Sequence, residues 1–206
     1  MEILRSATED EMILEFLKGE IQSVRFQNKL NKMIHKFSIS NEIIFNGDIK
    51  NSAENNNRRR ILGEFRGYPN RDMFEGFPKI SKWLYVKFDR DDLEKMNYIN
   101  YSYWNELSSN TYKPLIAAER IQKGIEIYGI SNKPFWDGVE YLKSRQFPPV
   151  ILIACGDMEY VIIEGHSRMT VYALDPQAFN GTTGYIGYCT PKELLQYDRR
   201  PSVCKF

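Results

Sequence analysis

Apolar residues near the start of the chain recur at helical spacing. Thr8 and Glu11 form the T-x-x-E pattern of a helix-capping box, and an apolar face follows at intervals of three and four residues. Its members are Met12, Ile13, Phe16, Leu17, Ile21 and Val24. A second helical pattern runs from Leu30 to Phe37. These patterns predict an N-terminal helical portion over residues 1–45, whose apolar stripe packs into a core.

The next stretch, "NGDIKNSAENNNRRR" at residues 46–60, is polar and rich in turn-forming residues. It predicts a flexible loop, because it lacks the apolar residues that would offset the entropy lost on ordering. Arg58, Arg59 and Arg60 close this stretch. Three adjacent arginines are able to contact phosphate groups, and the simpler interpretation is a solvated end of the loop.

Strand and helix patterns alternate in the second half of the chain. Strands are predicted at "KWLYVKFD" (82–89), Val150–Cys155, Tyr160–Ile163 and "YIGYC" (185–189). Helices are predicted from Pro114 to a stop at Gly129, after Asn132, from about Ser167, and after Thr190. This order predicts a mixed α/β (α+β) fold, with a small mixed sheet, in one domain over residues 1–206.

Composition limits the classes of function. The chain has 206 residues, 42% of them hydrophobic, and a formal charge of +1. It can bury a substantial core, and it has no overall field to attract nucleic acid or an anionic membrane. Cys155, Cys189 and Cys204 have no metal-like spacing. No apolar run approaches transmembrane length, and the N-terminus lacks the apolar core of a secretory signal. We therefore expect a cytoplasmic protein without a membrane partner.

Aromatic residues cluster at "YINYSYW", Tyr98 to Trp104, without a clear period. Such side chains are able to stack on a nucleobase. Aromatic clusters also fill protein cores, and the sequence leaves both interpretations open.

The stretch "YVIIEGHSRMTVYALDP", Tyr160 to Pro176, turns from a strand pattern directly into a helical one. A helix N-terminus presents unpaired backbone N–H groups and the positive end of its dipole, so it binds anions. Gly165 allows a sharp turn there, Ser167 adds a hydroxyl, and Arg168 offers a bidentate fork. These residues predict a phosphate cradle. The alternative is a well-capped helix whose arginine pairs with a carboxylate in the core.

The stretch "PPVILIACGDMEYVIIEGHSRMTVYAL" resembles the strand–turn–strand–Gly-x-x-Arg–helix box of the ParB/sulfiredoxin superfamily. Gly165 and Arg168 stand at the glycine and arginine of that box, with His166 and Ser167 between them. The resemblance implies a nucleotide-binding core of this type, which we expect over residues 112–200.

Two departures narrow the implications of this resemblance. Sulfiredoxin has its catalytic cysteine directly after the glycine, whereas this chain has His166 there, so cysteine phosphoryl chemistry is not expected. Only 38 residues follow Arg168, too few for the helix-turn-helix region and dimerisation module of partition proteins. The proline-arginine box that precedes the core in those proteins has no clear counterpart, although Arg120 lies at a comparable place.

Three hypotheses arise from these observations. The first is a nucleotide- or phosphate-binding protein. Such a protein could also hydrolyse or transfer the phosphoryl group with the help of a metal ion, and its cofactor would then be a nucleotide with magnesium. Gly165, His166, Ser167 and Arg168 would bind the ligand, and Glu164 and His166 are the candidate catalytic residues. We predict no dedicated metal site. The alternative for Glu164 is a residue that faces solvent at the end of the strand. The alternative for His166 is a residue that contributes only its backbone N–H to the helix start.

The other two hypotheses come from different classes. One is a DNA-directed nuclease or defence-type protein, which would use the Arg58 to Arg60 run together with the cradle. The other is a non-catalytic regulatory or protein-binding module, in which the N-terminal helices serve a partner. An exposed apolar patch on the Met12 to Val24 stripe would favour the latter.

Overall fold

The computed structural model of the protein describes residues 1–157 and 159–198. The chain divides into two compact units. One unit spans residues 7–79, and the other combines Met1–Ser6 with the chain from Ile80 onward. Cys204 and the end of the predicted 112–200 core lie outside the described residues.

The unit of residues 7–79 is helical. Its helices are α1 (Glu9–Gln22), α2 (Gln27–Lys36), α3 (Glu42–Phe45) and α4 (Ser52–Arg66), followed by a 3₁₀ turn at Asp72–Phe74. The predicted capping box is confirmed, because the Thr8 hydroxyl accepts from the Glu11 backbone N–H at 3.2 Å and the Glu11 carboxylate accepts from that of Thr8 at 2.7 Å. The apolar stripe of α1 is buried from Met12 to Ile21. Val24, the last residue of the predicted stripe, lies beyond the end of α1 and is 95% exposed, so the part of the stripe on the helix is buried and a single valine is left at the surface.

The prediction of a flexible loop at 46–60 is wrong for its second part, because α4 begins at Ser52. The Asn51 side chain caps this helix by accepting from the backbone N–H of Ala53 at 3.1 Å. Arg58 is fully buried and donates to the carbonyls of Ile43 and Asp48 at 2.6 and 3.0 Å. The first half of this helix is thus held by a buried cation, whereas its second half buries Ile61, Leu62 and Phe65.

The other two arginines of the run also have structural contacts. Arg59 forms ion pairs with Glu9 and Asp10 at 3.1 and 2.8 Å. The Arg60 guanidinium lies 3.9 Å from the centre of the Phe37 ring. The run is therefore part of a helix and not the end of a loop, and Arg58 is not accessible to a phosphate backbone.

The second unit contains the sheet. Its strands are β1 (Glu2–Ala7), β2 (Lys82–Lys87), β3 (Met96–Tyr98), β4 (Val150–Ala154), β5 (Tyr160–Glu164) and β6 (Thr183–Tyr188). In the described residues they form one six-stranded sheet in the order β1-β2-β6-β4-β5-β3. The β4–β6 and β3–β5 pairs are parallel, and the β2–β6 and β4–β5 pairs are antiparallel. The predicted mixed α/β fold is confirmed.

The helices of this unit are α5 (Ser102–Leu107), α6 (Pro114–Gln122), α7 (Lys133–Leu142), α8 (His166–Leu174), α9 (Pro176–Phe179) and α10 (Pro191–Asp198). The predicted extension of α6 to Gly129 is wrong. The chain leaves the helix near Gly124, whose φ is +75°, and Ile127 and Ile130 then form an isolated bridge. Ile125 and Tyr128 therefore lie in a turn after α6 and not on an apolar face of the helix.

The core of this unit lies between the sheet and helices α6 and α8, which pack on each other. Strand β4 is buried along its whole length, as its continuous apolar run predicts. Within the described residues, each helix is too short or too polar to cross a lipid bilayer.

Arg58→Ala is expected to lower the free energy of unfolding by about 3 kcal/mol or more, because it leaves buried carbonyl groups and the Glu54 carboxylate without their donor. Chemical denaturation followed by circular dichroism measures this loss. Arg60→Ala, two positions along the same helix, is the control and loses only a cation–π contact of about 0.5–1 kcal/mol. Equal effects of the two substitutions would contradict the structural role of Arg58.

Candidate functional site

The junction between β5 and α8 has the predicted form. Strands β4 and β5 are antiparallel neighbours, β5 ends at Glu164, and α8 begins at His166. Gly165 joins them with φ +101° and ψ 21°, in the left-handed region that favours glycine. A Cβ atom at this position would lie 2.8 Å from the Val150 side chain. Glycine is therefore required here both by the backbone angle and by the space.

Arg168 turns back from the first turn of α8 and holds the junction together. Its Nη1 donates to the carbonyl oxygens of Pro148 and Pro149 at 2.7 and 2.8 Å, and its Nη2 forms an ion pair with Glu164. The Arg168 side chain is only 13% exposed. This is the alternative that the sequence left open, an arginine paired with a carboxylate. A phosphate at Arg168 would have to share the guanidinium with these groups.

The same ion pair affects the role predicted for Glu164. Its carboxylate is 17% exposed and lies against the Arg168 guanidinium, so it is not a solvent-facing strand end. A carboxylate in an ion pair is a weak base, because the neighbouring cation stabilises its charged form. A catalytic role for Glu164 would require this pair to open.

His166 lies in a group of nearly parallel aromatic rings. Its ring centre is 5.4 Å from that of Trp104, with 18° between the planes, and 6.5 Å from that of Tyr101, with 24°. Tyr98 stacks on Trp104 at 4.8 Å. Tyr101 is 41% exposed, whereas Tyr98 is buried. The histidine and the "YINYSYW" cluster, which the sequence leaves unconnected, are thus brought together.

A hydrogen-bonded chain fixes the aromatic group to α8. The hydroxyls of Tyr98 and Thr170 share a hydrogen bond of 2.6 Å, and Thr170 also donates to the carbonyl of His166 at 2.9 Å. Burial raises the pKa of Tyr98, so its phenol stays neutral and hydrogen-bonded. The aromatic rings therefore have a fixed position relative to the first turn of the helix.

Ser167 is the most exposed residue of the junction. It is the second residue of α8, and the helix has no side-chain cap, because Gly165 stands at the capping position. The Ser167 hydroxyl thus lies at the solvent side of the helix start. Ser167 and Arg168, adjacent in sequence, have different surroundings.

Two further kinds of candidate site are a reactive Cys189 thiol and a group of side chains that binds a metal ion. Cys189 is half-buried, and burial raises the pKa of its thiol to about 12, so the reactive thiolate is scarce at neutral pH. Among residues 1–157 and 159–198, no three or more His, Cys, Asp or Glu residues form a group able to hold a metal ion.

The chain was compared with protein-family models, curated proteins and solved structures. None matched. The resemblance to the ParB/sulfiredoxin superfamily therefore rests on the sequence stretch from Pro148 to Leu174 alone.

Gly165→Ala is expected to destabilise the protein by about 1–3 kcal/mol, because alanine is strained at this backbone angle and its methyl group would meet Val150. Thermal unfolding measures the effect. Gly156→Ala, in the loop between β4 and β5, has open space around the new Cβ and is the matched control. A tolerated Gly165→Ala would show that the junction does not need its left-handed residue.

Arg168→Ala is expected to lower the unliganded free energy of unfolding by about 3 kcal/mol, because it strands the Glu164 carboxylate. Arg168→Lys keeps the charge but not the planar fork, so it should recover only part of this loss. The double substitution Arg168→Ala with Glu164→Gln removes the stranded charge and should be less destabilised than Arg168→Ala alone. An unchanged melting temperature in Arg168→Ala would contradict the structural role.

Proposed function

We propose that this protein binds a nucleotide, or another ligand that carries a phosphate group, at the start of α8. The observation that carries the proposal is that two features lie side by side at the C-terminal end of β5. The first is a helix that begins without a side-chain cap at a left-handed glycine. The second is the set of parallel rings of His166, Trp104 and Tyr101.

The helix start supplies the attraction for phosphate. The backbone N–H groups of a first helical turn and the helix dipole both favour an anion. Gly165 places no side chain over this end of α8, and the exposed Ser167 adds a hydroxyl donor beside it. The ion pair with Arg168 also balances the charge of Glu164, which would otherwise repel an anion one residue before Gly165.

The aromatic rings supply a surface for a base. A nucleobase stacks on aromatic side chains with about 1–3 kcal/mol per base. The ring of Tyr101 is accessible to solvent, and the imidazole of His166 is a planar neighbour at the helix start. A ligand with both a phosphate and a planar ring would use both features, so it should bind more tightly than inorganic phosphate.

The proposal is for binding and does not extend to hydrolysis or transfer of the phosphoryl group. Glu164, the candidate base, is held by Arg168. Magnesium usually binds through the phosphates of a nucleotide together with one or two carboxylates. A magnesium ion at this site would therefore be carried mainly by the ligand.

A thermal-shift screen with ribonucleoside triphosphates, with and without magnesium, tests the proposal. A ligand at a hundred times its dissociation constant adds about 2.7 kcal/mol to the stability of the folded state. We expect a clear rise in melting temperature with at least one nucleotide, and a smaller rise with inorganic phosphate at the same concentration. No rise with any nucleotide would refute the proposed function.

Ser167→Glu locates the ligand. A glutamate in the first turn of a helix is favourable, so the unliganded protein should keep or slightly raise its melting temperature. The new carboxylate would repel a phosphate at this helix start, so the nucleotide affinity should fall at least tenfold. Ser52→Glu adds the same charge at the start of α4 and should leave binding unchanged. Nucleotide binding that is equally strong in both variants would place the ligand elsewhere.

A further inference from the structure

Arg120, on α6, is an arginine without a partner among the described residues. Its side chain is partly buried, and its Nε–H is shielded from solvent with no acceptor in residues 1–157 and 159–198. No described carboxylate forms an ion pair with it. A buried donor without an acceptor is unfavourable, all the more so on a charged group. Such groups are rare in native proteins, and each calls for an explanation.

The path of α6 places Arg120 near the start of α8. At the beginning of α6, Lys113 donates to the carbonyl of Glu94 at 3.0 Å and lies 3.8 Å from Glu159. Glu159 comes directly before β5 and Glu94 two residues before β3, so the Lys113 side chain reaches the N-terminal ends of these strands. Seven residues of helix rise by about 10 Å, the length of about three strand residues. Because α6 packs along α8, this rise carries Arg120 from the Lys113 end of the helix toward the end of β5.

Contacts of the chain after α6 support this placement. Phe135, at the start of α7, lies 6.5 Å from Trp104, which in turn stacks on His166. Burial raises the pKa of the Tyr103 phenol, and the nearby Glu126 carboxylate adds to this rise. The segment after α6, the start of α7 and the start of α8 thus lie around the same aromatic group.

Asn132 is a second polar side chain with an unmet bond in this region. It is 6% exposed, and its amide donates to the carbonyl of Ile125 at 2.8 Å. The amide oxygen is buried and has no donor among the described residues. Ile125 itself donates to the carbonyl of Arg120 at 3.0 Å, so the two side chains belong to one connected segment. The Nε–H of Arg120, a cationic donor, and the side-chain oxygen of Asn132, a neutral acceptor, are thus both without partners in this segment.

We propose that Arg120 is the side chain that binds the phosphate group of the ligand, an inference that rests on the proposed function. The guanidinium of Arg168 already holds Glu164 and two carbonyl groups, whereas Arg120 has its donors available for phosphate oxygens. The Asn132 oxygen would accept from a hydroxyl or amino group of the same ligand. A nucleotide carries both kinds of group, and inorganic phosphate offers nothing beyond the anion.

Arg120→Met tests this role, because methionine keeps most of the apolar stem and removes the guanidinium. The unliganded variant should melt at or above the temperature of the wild type, since a buried N–H without an acceptor is removed. Its affinity for ribonucleoside triphosphates, measured by isothermal titration calorimetry, should fall ten- to hundredfold. Arg120→Lys should bind with intermediate affinity. Arg90→Met removes the same charge from an exposed position of the same unit and should bind like the wild type.

The possible outcomes separate the two proposals. If the wild type binds nucleotide and Arg120→Met binds equally well, this inference is wrong and the proposed function stands. If Arg120→Met lowers the melting temperature and leaves the affinity unchanged, Arg120 is a structural residue, bonded to an ordered water. If the wild type binds no triphosphate, both proposals fail. If Arg120→Met does not fold, the affinity of Arg120→Lys tests the inference instead. Wild-type affinity in Arg120→Lys would contradict a bidentate contact between Arg120 and the phosphate.

Discussion

The Arg168 guanidinium holds together the three chain segments that form the candidate site. It bonds the carbonyl groups just before β4, the carboxylate at the end of β5, and, through its own backbone, the first turn of α8. A planar cation is suited to this position, because its five donors point in fixed directions and reach several acceptors at once. The position of the helix start relative to the sheet depends on this one cation.

This bonding pattern also explains why Gly165 and Arg168 occur together. The left-handed turn at Gly165 lets the chain reverse within one residue, and the guanidinium then lies where a Cβ at Gly165 would come within 3.3 Å of it. The glycine makes room for the arginine, and the arginine fixes the turn that the glycine allows. A glycine–x–x–arginine pattern is therefore fully accounted for by structure, without a ligand at the arginine.

The sequence predicted this part of the fold because its signals are local: continuous apolar runs for β4 and β5, and a glycine between strand and helix. It failed at α4, where the stabilising residue is a polar one. Arg58 is buried among backbone carbonyls of the preceding loop, and a composition rule treats such an arginine as exposed. Strand β1 was also not predicted. Its side chains are mostly exposed, so its sequence lacks the apolar alternation by which strands are recognised.

The residues around the candidate site were predictable only in part. His166 and the Tyr98 to Trp104 cluster are visible in the sequence, but their stacking requires β3 to lie beside β5, a parallel pairing of strands more than 60 residues apart. The surroundings of Arg120 could not be predicted from the sequence at all. An arginine on an amphipathic helix gives no local sign of whether a carboxylate will face it, because that depends on the helices packed around it. Motif position thus draws attention to Arg168, which the fold uses internally, while the surroundings of Arg120 can be read only from the packed structure.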